Sequence, residues 1–557
     1  MRPIAATTTQ PAAPGRHRMT RQEKFVVLAS SLGTVFEWYD FYLVGALALH
    51  ISKSFFAGLN PTAAFIFTLL SFAAGFAVRP FGALVFGRLG DLVGRKYTFL
   101  ATIVIMGLAT FLIGFIPGYV SIGIAAPVLF IAMRLLQGFA LGGEYGGAVI
   151  YVAEHAPAEE RGTWTAWIQT TAAGGLLLSL GIISLCRWYL GEQEFAAWGW
   201  RVPFLVSAIL VGISVWMRLK LNESPAFLKM KEEGKTSKAP ISEAFGNWKN
   251  LRIVLIALFG LIIGQAVVWY TGQFYSLFFL TQTLKVDESL ANLMVGAATI
   301  LSIPFYLVFA AISDRKGRKP VILAGFILGA IFFMPLYKQL TAYANPALEQ
   351  AQLRAPITVV ADPAECSLQF NPVGTSAFTS SCDIAKSALA KKGLNYSNVT
   401  AAPGAVAQIR IGSATIESFD GKAAEAAERK AVFSGAVDAA LKDNHYPEKA
   451  DRAQVNIGMT VLILVCLMLF GTMTYSPMAA MLVELFPTRI RYTAMSLPYH
   501  VGIGWVGGFL PASAFAIVAA QGNIYSGLWY PIVIATIAFV VGLLLVPETR
   551  GRDIFAD

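Results

Sequence analysis

Five charged residues lie inside long apolar segments of this sequence: Glu37, Asp40, Arg79, Arg134 and Glu144. An ionisable residue at membrane depth is costly in free energy, faces the interior of a helix bundle and marks a substrate or proton pathway. The sequence therefore predicts a proton-coupling set made of Glu37, Asp40, Arg134 and Glu144, and a substrate-binding residue, Arg79.

The first of these segments contains the motif Gly33-Thr-Val-Phe-Glu37-Trp-Tyr-Asp40. The two acidic residues are three positions apart, so their carboxyl groups are predicted to share one helical face. Like charges held close in a low dielectric resist being ionised together, so one of the pair can bind and release a proton. The alternative is that one carboxylate only pairs with an arginine and holds two helices together.

Arg79 stands in the motif Val78-Arg79-Pro80-Phe-Gly82. Proline within a span frees backbone groups and can bend the helix toward a cavity. A guanidinium at that point can bind a carboxylate through two parallel hydrogen bonds. The alternative is that Arg79 is a structural partner of Asp40.

A ridge of glycines, Gly138, Gly142 and Gly146, runs through the segment that also carries Arg134 and Glu144. Small residues four positions apart let a neighbouring backbone approach closely, so we interpret the ridge as a packing surface. Arg134 either relays a proton to an acidic residue of the first segment or only locks two helices together. The sequence leaves both roles open.

Uncharged side chains complete the predicted substrate site. They are Tyr42, Gln137, Tyr270, Gln273, Tyr475 and His500. Aromatic residues in such segments are more often core or interface residues than ligands, so these assignments rest on position alone. The sequence contains no phosphate-binding loop of the G-x-x-x-x-G-K-[ST] type, so we expect no nucleotide, metal or other cofactor, and a proton gradient as the driving force.

The elements that position these residues are predicted to be membrane helices. Of the 557 residues, 56% are hydrophobic and 14% are charged, whereas a soluble domain has roughly 25% charged residues. This composition excludes a soluble enzyme and a secreted domain array. Twelve segments reach the length of about 20 residues that a span requires: 25–50, 62–86, 97–116, 122–150, 163–188, 200–221, 251–280, 290–312, 320–338, 456–483, 493–520 and 527–546.

The distribution of basic residues predicts the orientation of these helices. If both termini are cytoplasmic, the tails and the inner loops hold 25 of the 43 Lys and Arg, and the five short outer loops hold 4. Cytoplasmic loops carry the excess of Lys and Arg. The net charge of +10 is therefore explained by topology, and we expect no nucleic-acid partner.

An internal repeat relates the two halves. Asp91-Leu-Val-Gly-Arg95-Lys matches Asp314-Arg-Lys-Gly-Arg318-Lys 223 residues later, and Glu154 with Arg161 matches Glu484 with Arg491 330 residues later. Six-helix halves related in this way are typical of secondary transporters. The predicted cytoplasmic gate consists of the matched charges: Asp91, Arg95, Asp314, Arg318, Glu154, Arg161, Glu484 and Arg491.

The difference of 107 between the two repeat spacings predicts an insertion between helices 9 and 10. It has strand-like alternation at Gln408–Ile411 and a helix-like stretch from Lys422 to Leu441. Cys366 and Cys382 lie in it and are predicted to form a disulfide, the alternative being two free surface thiols. The predicted units are a cytoplasmic tail 1–24, a six-helix bundle 25–221, a central loop 222–250, helices 7–9 at 251–338, the extracytoplasmic insertion 339–455, helices 10–12 at 456–546 and a cytoplasmic tail 547–557.

The chain resembles the metabolite:proton symporter family of the major facilitator superfamily over all twelve predicted helices. The resemblance rests on Glu37 to Phe41, Arg79 to Gly82, Gly87 to Lys96, Arg134 to Gly147, Glu154 to Gly162, Glu484 to Arg491 and Pro547 to Gly551. It implies proton-coupled uptake of small carboxylates or zwitterions, such as α-ketoglutarate, citrate, shikimate, proline or betaine. The insertion is not part of the common core of that family, so the resemblance implies nothing about its role.

The sequence thus predicts an all-α polytopic protein with twelve transmembrane helices in two pseudo-symmetric six-helix bundles and a small α+β extracytoplasmic insertion. Its predicted function is proton-coupled uptake of a di- or tricarboxylate by alternating access, in a monomer in the inner membrane. The expected partners are an organic anion or zwitterion, protons and the lipid bilayer. The rivals are a carrier of a zwitterionic osmolyte or of a sugar, and a non-transporting sensor whose insertion binds the ligand.

Overall fold

The computed structural model describes residues 20–58, 61–367, 378–423 and 425–555. Most of the predicted tail 1–24 lies outside the described residues. Within them the chain is built almost entirely from long helices, which we number in chain order.

Helices 1 to 6 form the N-terminal half. They run over Arg21–Ala46, Pro61–Leu92, Arg95–Ile113, Ala125–His155, Arg161–Leu190 and Gly199–Leu219. Helix 1 begins with a capping box, in which the Thr20 hydroxyl accepts from the Glu23 N–H and the Glu23 carboxylate accepts from the Thr20 N–H. These bonds satisfy backbone donors that a helix start leaves open.

Helices 7 to 12 form the C-terminal half. They run over Trp248–Thr283, Glu288–Lys316, Arg318–Ala344, Ile457–Leu485, Thr488–Gln521 and Ser526–Leu545. Helices 8 and 9 meet at Gly317, as helices 2 and 3 meet at Gly94, and the φ angles of the two glycines are +111° and +128°. Only glycine adopts such angles without strain, which explains why the repeat carries glycine at both turns.

Ten of these twelve helices, 3 to 12, are long and apolar enough to cross a membrane. The other two predicted spans are also helical, over 26 residues in helix 1 and 32 in helix 2. The predicted fold class, an all-α polytopic membrane protein with a small insertion that contains a sheet, is confirmed. Several helices extend beyond the predicted bounds, and helix 9 ends at Ala344 rather than at 338.

Helices 7 and 11 contain π-helical segments. In helix 7 they are Leu258–Ile262, Thr271–Tyr275 and Phe279–Thr283, and in helix 11 the segment is Val501–Gly507. Such wide turns are rare and are frequent at functional sites. Both helices line the central cavity described below.

The insertion between helices 9 and 10 folds as a small α+β unit, which we call the cap (residues 346–455). Its helices are Pro346–Arg354, Ser381–Lys391 and Ala426–Asp443, and its strands are β1 Ile357–Ala361, β2 Tyr396–Thr400, β3 Gln408–Ile411 and β4 Ala414–Glu417. The strand order is β2-β1-β3-β4, with β1 parallel to β2 and antiparallel to β3. The predicted strand at Gln408–Ile411 is β3, and Cys366 and Cys382 are joined by a disulfide.

The cap is attached to the C-terminal half. The Tyr396 N–H donates to the Gly522 carbonyl (2.6 Å), and the Asn398 side chain and the Lys386 ammonium donate to the carbonyls of Gln521 (3.1 Å) and Ala520 (3.3 Å). A helix end leaves its last carbonyls without intrahelical partners. The cap therefore completes the end of helix 11.

Candidate functional site

A small cavity lies between the two halves. Its lining residues come from helices of both halves: Thr34, Glu37, Trp38, Arg79, Tyr145, Ile168, Gln169, Gln265, Trp269, Tyr270, Tyr475, Tyr499, His500 and Ile503. Of the residues that the sequence predicted to handle substrate or proton, Glu37, Arg79, Tyr270, Tyr475 and His500 line this cavity.

The N-terminal half contributes the charges of the cavity. Arg79 is 8% exposed, and its guanidinium lies 4.2 Å from the centre of the Phe76 ring. Its helix is pressed against helix 4, because a Cβ at Gly142 would lie 2.3 Å from the Arg79 carbonyl oxygen. The predicted glycine ridge therefore packs helix 4 backbone against helix 2 and fixes where Arg79 enters the cavity.

The acidic group of the cavity is Glu37. Its Oε2 atom is buried and has no hydrogen-bond partner among the described residues. A buried polar atom without a partner is uncommon and is explained by a missing proton, water or ligand. The Glu37 carboxyl group is therefore available to a proton, a water molecule or a ligand in the cavity.

The C-terminal half contributes neutral polar and aromatic groups. Gln265 is fully buried, and neither atom of its amide has a hydrogen-bond partner within the described part of the chain. His500 reaches the same cavity and is 2% exposed. An amide that can both donate and accept, left open at a cavity wall, is suited to bind a polar solute.

Aromatic rings from both halves bound the cavity. The rings of Tyr145 and Tyr499 stack with their centres 3.8 Å apart, and the hydroxyls of Tyr475 and Tyr499 are 3.0 Å apart. At a second place, Trp38 and Trp269 approach to 6.0 Å between ring centres. The Tyr145–Tyr499 and Trp38–Trp269 contacts join one half to the other, so these two pairs of rings must separate when the halves move apart.

Asp40 has surroundings different from those of Glu37. Its two oxygens accept from the hydroxyls of Thr110 and Ser207, each at 2.8 Å. The chain of bonds continues from Arg134 to Gln137 (2.5 Å) and from Gln137 to Thr110 (2.6 Å). Of the predicted pair, Glu37 therefore lines the cavity, whereas Asp40 is hydrogen-bonded within the N-terminal bundle, and a shared proton-handling role stays a prediction.

Glu144 forms a buried ion pair that the sequence did not predict. Its Oε1 lies 2.7 Å from the Arg218 guanidinium, and its Oε2 accepts from the Thr102 hydroxyl at 2.8 Å. The sequence analysis did not name Arg218 among the charges inside the apolar segments, but its side chain is 1% exposed and pairs with Glu144 inside the bundle. Arg218 is thus a further buried basic residue of the N-terminal half, besides Arg79 and Arg134.

Three predicted substrate residues are not among the cavity-lining residues. Gln137 bridges Arg134 and Thr110, Gln273 accepts from the Thr299 hydroxyl at 3.2 Å, and the Tyr42 ring lies 5.8 Å from Trp38. For helix 7 the difference is explained by the π-helical segment Thr271–Tyr275, which contains Gln273 and changes the direction in which its side chain points relative to a regular α-helix.

The charged loop motifs meet on the face of the bundle that carries the described ends of the chain, which we call the terminal face. Asp91 accepts from the backbone N–H groups of Tyr492 and Thr493, at 3.2 and 2.9 Å. Asp314 accepts from those of Gly162 and Thr163, at 2.9 and 2.8 Å. Each aspartate therefore binds the open N–H groups at the start of a helix in the opposite half.

The matched acids and arginines also pair between halves. Glu154 contacts Arg491 at 2.6 Å, and Glu484 contacts Arg161 at 2.8 Å. Arg95 and Arg318 lie beside these pairs, 3.8 Å from Glu154 and 3.2 Å from Glu484. The eight predicted gate residues are thus brought together in two pseudo-symmetric clusters that hold the terminal face closed.

Family comparisons agree with this architecture. The model of the "sugar (and other) transporter" family matches residues 25–244 and 432–556, and the model "MFS/sugar transport protein" matches residues 147–344. The first match alone covers more than half of the chain. The chain belongs to the major facilitator superfamily. Membership in this family of transporters also confirms the expectation that the chain is not an enzyme.

Curated relatives of this facilitator carry several kinds of solute. It is 37% identical over 311 residues to the proline/betaine transporter of Salmonella typhimurium, which is 54% of this chain and 61% of the relative. It is 35% identical over 321 residues to the shikimate transporter of Escherichia coli (57% and 72%) and 31% identical over 329 residues to the alpha-ketoglutarate permease of E. coli (59% and 74%). The matched region spans about three fifths of the length of the proline/betaine transporter.

Solved facilitator structures share the fold. The proton:xylose symporter XylE bound to 6-bromo-6-deoxy-D-glucose has a TM-score of 0.60 at 16% identity, covering 96% of this chain and 98% of that one. A double tryptophan mutant of XylE gives 0.62 at 15% identity, with the same coverage. The inward-open form of XylE from E. coli gives 0.52 at 15% identity, again with the same coverage.

The repeat of this facilitator extends further than the sequence analysis found. Glu223 accepts from the backbone N–H of Arg95 at 3.1 Å, and Glu548 accepts from that of Arg318 at 2.9 Å. The signal is present in the sequence, since Glu223-Ser224 and Glu548-Thr549 follow the last helix of each half. Other cavity residues that were not predicted from the sequence are neutral, among them Gln265, Gln169, Tyr145 and Tyr499, because neither a charge nor a repeated motif marks them.

Proposed function

We propose that this facilitator is a proton-coupled symporter that carries a small carboxylate-bearing solute across the inner membrane by alternating access, with the terminal face cytoplasmic. The observation that carries the proposal is that Arg79 and Glu37 line one cavity enclosed between the two halves. Arg79 binds the carboxylate of the solute through two parallel hydrogen bonds. Glu37 takes up the proton, with Asp40 and its hydrogen-bonded chain to Arg134 as the second acidic site.

A zwitterion fits this cavity best. Once its carboxylate is on Arg79, its cationic group is attracted by the faces of rings such as Trp38 and Trp269, and Glu37 stays available for the proton. The proline/betaine transporter among the relatives supports this substrate class.

A dicarboxylate, the class that the sequence analysis put first, is the second candidate. Protonation of Glu37 removes the negative charge that would repel a second carboxylate, and the open amide of Gln265 can donate to it. The relative named for alpha-ketoglutarate, which is a dicarboxylate, favours this alternative. In this case the proton is needed for substrate binding as well as for the driving force.

Uptake into proteoliposomes tests the function and distinguishes the two classes. Labelled proline, glycine betaine, alpha-ketoglutarate and shikimate are offered with an acidic exterior, with no pH difference, and with a protonophore. We expect one class to accumulate with the acidic exterior and the protonophore to abolish accumulation. Counterflow without accumulation would contradict proton coupling, and absence of counterflow for all four would favour the sensor alternative.

A further inference from the structure

Arg218 packs against helix 1 one turn before Glu37, the acidic residue of the cavity. A Cβ at Gly33 would lie 2.1 Å from the Arg218 Nη2 atom, so helix 1 packs its bare backbone against the guanidinium. Gly33 is four positions before Glu37, which is one helical turn, and the two residues share a face. A side chain at position 33 would occupy the space that the Arg218 guanidinium fills.

Other contacts hold the guanidinium in this position. Its Nη1 atom donates to the Phe99 carbonyl at 2.9 Å, and its Cζ atom lies 3.4 Å from the centre of the Phe99 ring. The ion pair with Glu144 at 2.7 Å completes the set. Arg218 of helix 6 therefore places a positive charge against helix 1, and Glu144 of helix 4 neutralises that charge.

Several charges surround Glu37. Electrostatic interactions reach it from Glu144 on helix 4, Arg79 on helix 2, Arg218 on helix 6 and Asp40 on its own helix. The titratable groups that line the same cavity are Tyr145, Tyr270, Tyr475, Tyr499 and His500. Arg79 lines the cavity with Glu37 and is the proposed substrate ligand. Arg218 is the second cation whose charge reaches Glu37, and it lies behind helix 1.

We propose that Glu144 and Arg218 form a guard pair for the proton site: Glu144 occupies Arg218 so that this arginine does not capture the Glu37 carboxylate. This inference rests on the proposed function, because it concerns proton coupling at the same cavity. In the intact pair the two charges cancel, and Glu37 exchanges its proton with the cavity. Arg218 is a positioning residue in this scheme, since it acts on the proton site without touching the solute.

Removing either partner should then uncouple transport without stopping it. In Glu144→Gln, Arg218 is released beside Glu37 and holds it as a carboxylate, so the proton is not taken up. In Arg218→Gln, Glu144 is an unpaired negative charge beside Glu37, which then does not release its proton. In both variants exchange of a zwitterionic solute across the membrane continues, because Arg79 and the cavity rings are unchanged.

The test compares exchange with accumulation in wild type, Glu144→Gln, Arg218→Gln, the double variant and Thr102→Val. Thr102→Val is the matched control, since it removes a hydrogen bond from Glu144 but keeps both charges. We expect each single charge variant to exchange labelled solute at the wild-type rate and to lose about tenfold or more of its pH-driven accumulation. The double variant and Thr102→Val should accumulate like wild type.

The outcomes separate this inference from the proposed function. Wild type without pH-driven accumulation would refute proton coupling itself. If wild type accumulates and the single variants lose exchange and accumulation in equal proportion, or fail to fold while the double variant is normal, the pair only maintains the fold and the guard role is overturned. A double variant that folds and exchanges but does not accumulate would also overturn it.

Discussion

The two halves of this facilitator share a repeat and differ in what they bring to the cavity. The N-terminal half supplies Glu37 and Arg79, with buried charged networks behind them. The C-terminal half faces them with the open amide of Gln265, with aromatic rings, and with helices 7 and 11, which contain π-helical segments. In the proposed function, one half therefore recognises the proton and the charge of the solute, and the other supplies shape and neutral polar contacts.

At the terminal face the same two halves are nearly equivalent. Asp91 and Asp314 bind opposite helix starts, and Glu154 and Glu484 bind opposite arginines. The comparison teaches that the repeat is kept where both halves must close on each other. It is lost in the cavity, where the solute and the proton need different partners.

The largest effect is expected at Arg79. Arg79→Ala should abolish uptake, and Arg79→Lys should weaken binding by tens-fold or more, because loss of a desolvated bidentate contact costs about 2–5 kcal/mol. The measurement is solute affinity by calorimetry on purified protein. Arg88→Ala is the control, since Arg88 lies on the same helix and is exposed, and it should bind normally. Normal affinity in folded Arg79→Ala would remove charge recognition from the N-terminal half.

The equivalence of the two gate clusters can be tested next. Glu154→Gln and Glu484→Gln each leave a buried arginine without its acid, which costs the closed arrangement about 3–5 kcal/mol. Both variants should expose the seam between helices 4 and 11, where Ser496 packs on Gly146. The rate of thiol labelling at Ser496→Cys, with Cys186 and Cys466 replaced, measures the opening.

The control for the gate is the ion pair of Arg489 and Glu243, whose side chains are 44% and 24% exposed. Exposed pairs contribute about 0–1 kcal/mol, so Glu243→Gln should leave labelling slow. We expect the two gate variants to label at similar rates. If only one of them labels faster, the clusters are not equivalent, and one half alone holds the terminal face closed.

Smaller effects are expected at Gln265, where a substitution should raise stability and lower the affinity for the solute. A buried amide without partners costs about 1–3 kcal/mol, so Gln265→Leu should raise the melting temperature. The same change should weaken solute binding about tenfold, because it removes a hydrogen bond to the solute. Gln273→Leu, on the same helix, should instead lower the melting temperature, since Gln273 already accepts from Thr299. A rise in melting temperature without loss of affinity would exclude Gln265 from the site.

The smallest effect on transport is expected from removing the cap. Its two ends already meet, since the Asn456 N–H donates to the Tyr343 carbonyl at 2.9 Å. Joining Asn345 to Asn456 through a short flexible linker should leave a folded carrier with an uptake rate within about twofold of the full chain. Replacing Cys366 and Cys382 by serine should destabilise only the cap, by about 3 kcal/mol. Loss of transport in a folded deletion would mean that the cap takes part in gating.

Much of the fold could be predicted because membrane helices require long apolar runs in the sequence. The gate could be predicted because its charged residues recur at fixed offsets in the two halves. The cavity could be predicted only in part. Arg218 lies in the last turn of its helix, where hydropathy cannot tell a buried residue from a loop residue. Glu37 and Asp40 have different surroundings because helix 1 is turned so that Glu37 lines the cavity and Asp40 lies within the N-terminal bundle. The spacing of two residues along one helix does not determine how that helix is turned. Gln265 carries no charge, and nothing in the sequence marks it as unpartnered.

The attachment of the cap has a practical consequence for imaging. In electron cryo-microscopy, a helical bundle inside a detergent belt offers few features for assigning particle orientation, and two similar halves are easily confused in projection. The cap is a disulfide-closed unit fixed to the end of helix 11 by Lys386, Tyr396 and Asn398. It identifies the C-terminal half in every view, so this chain carries its own fiducial mark without a bound antibody fragment.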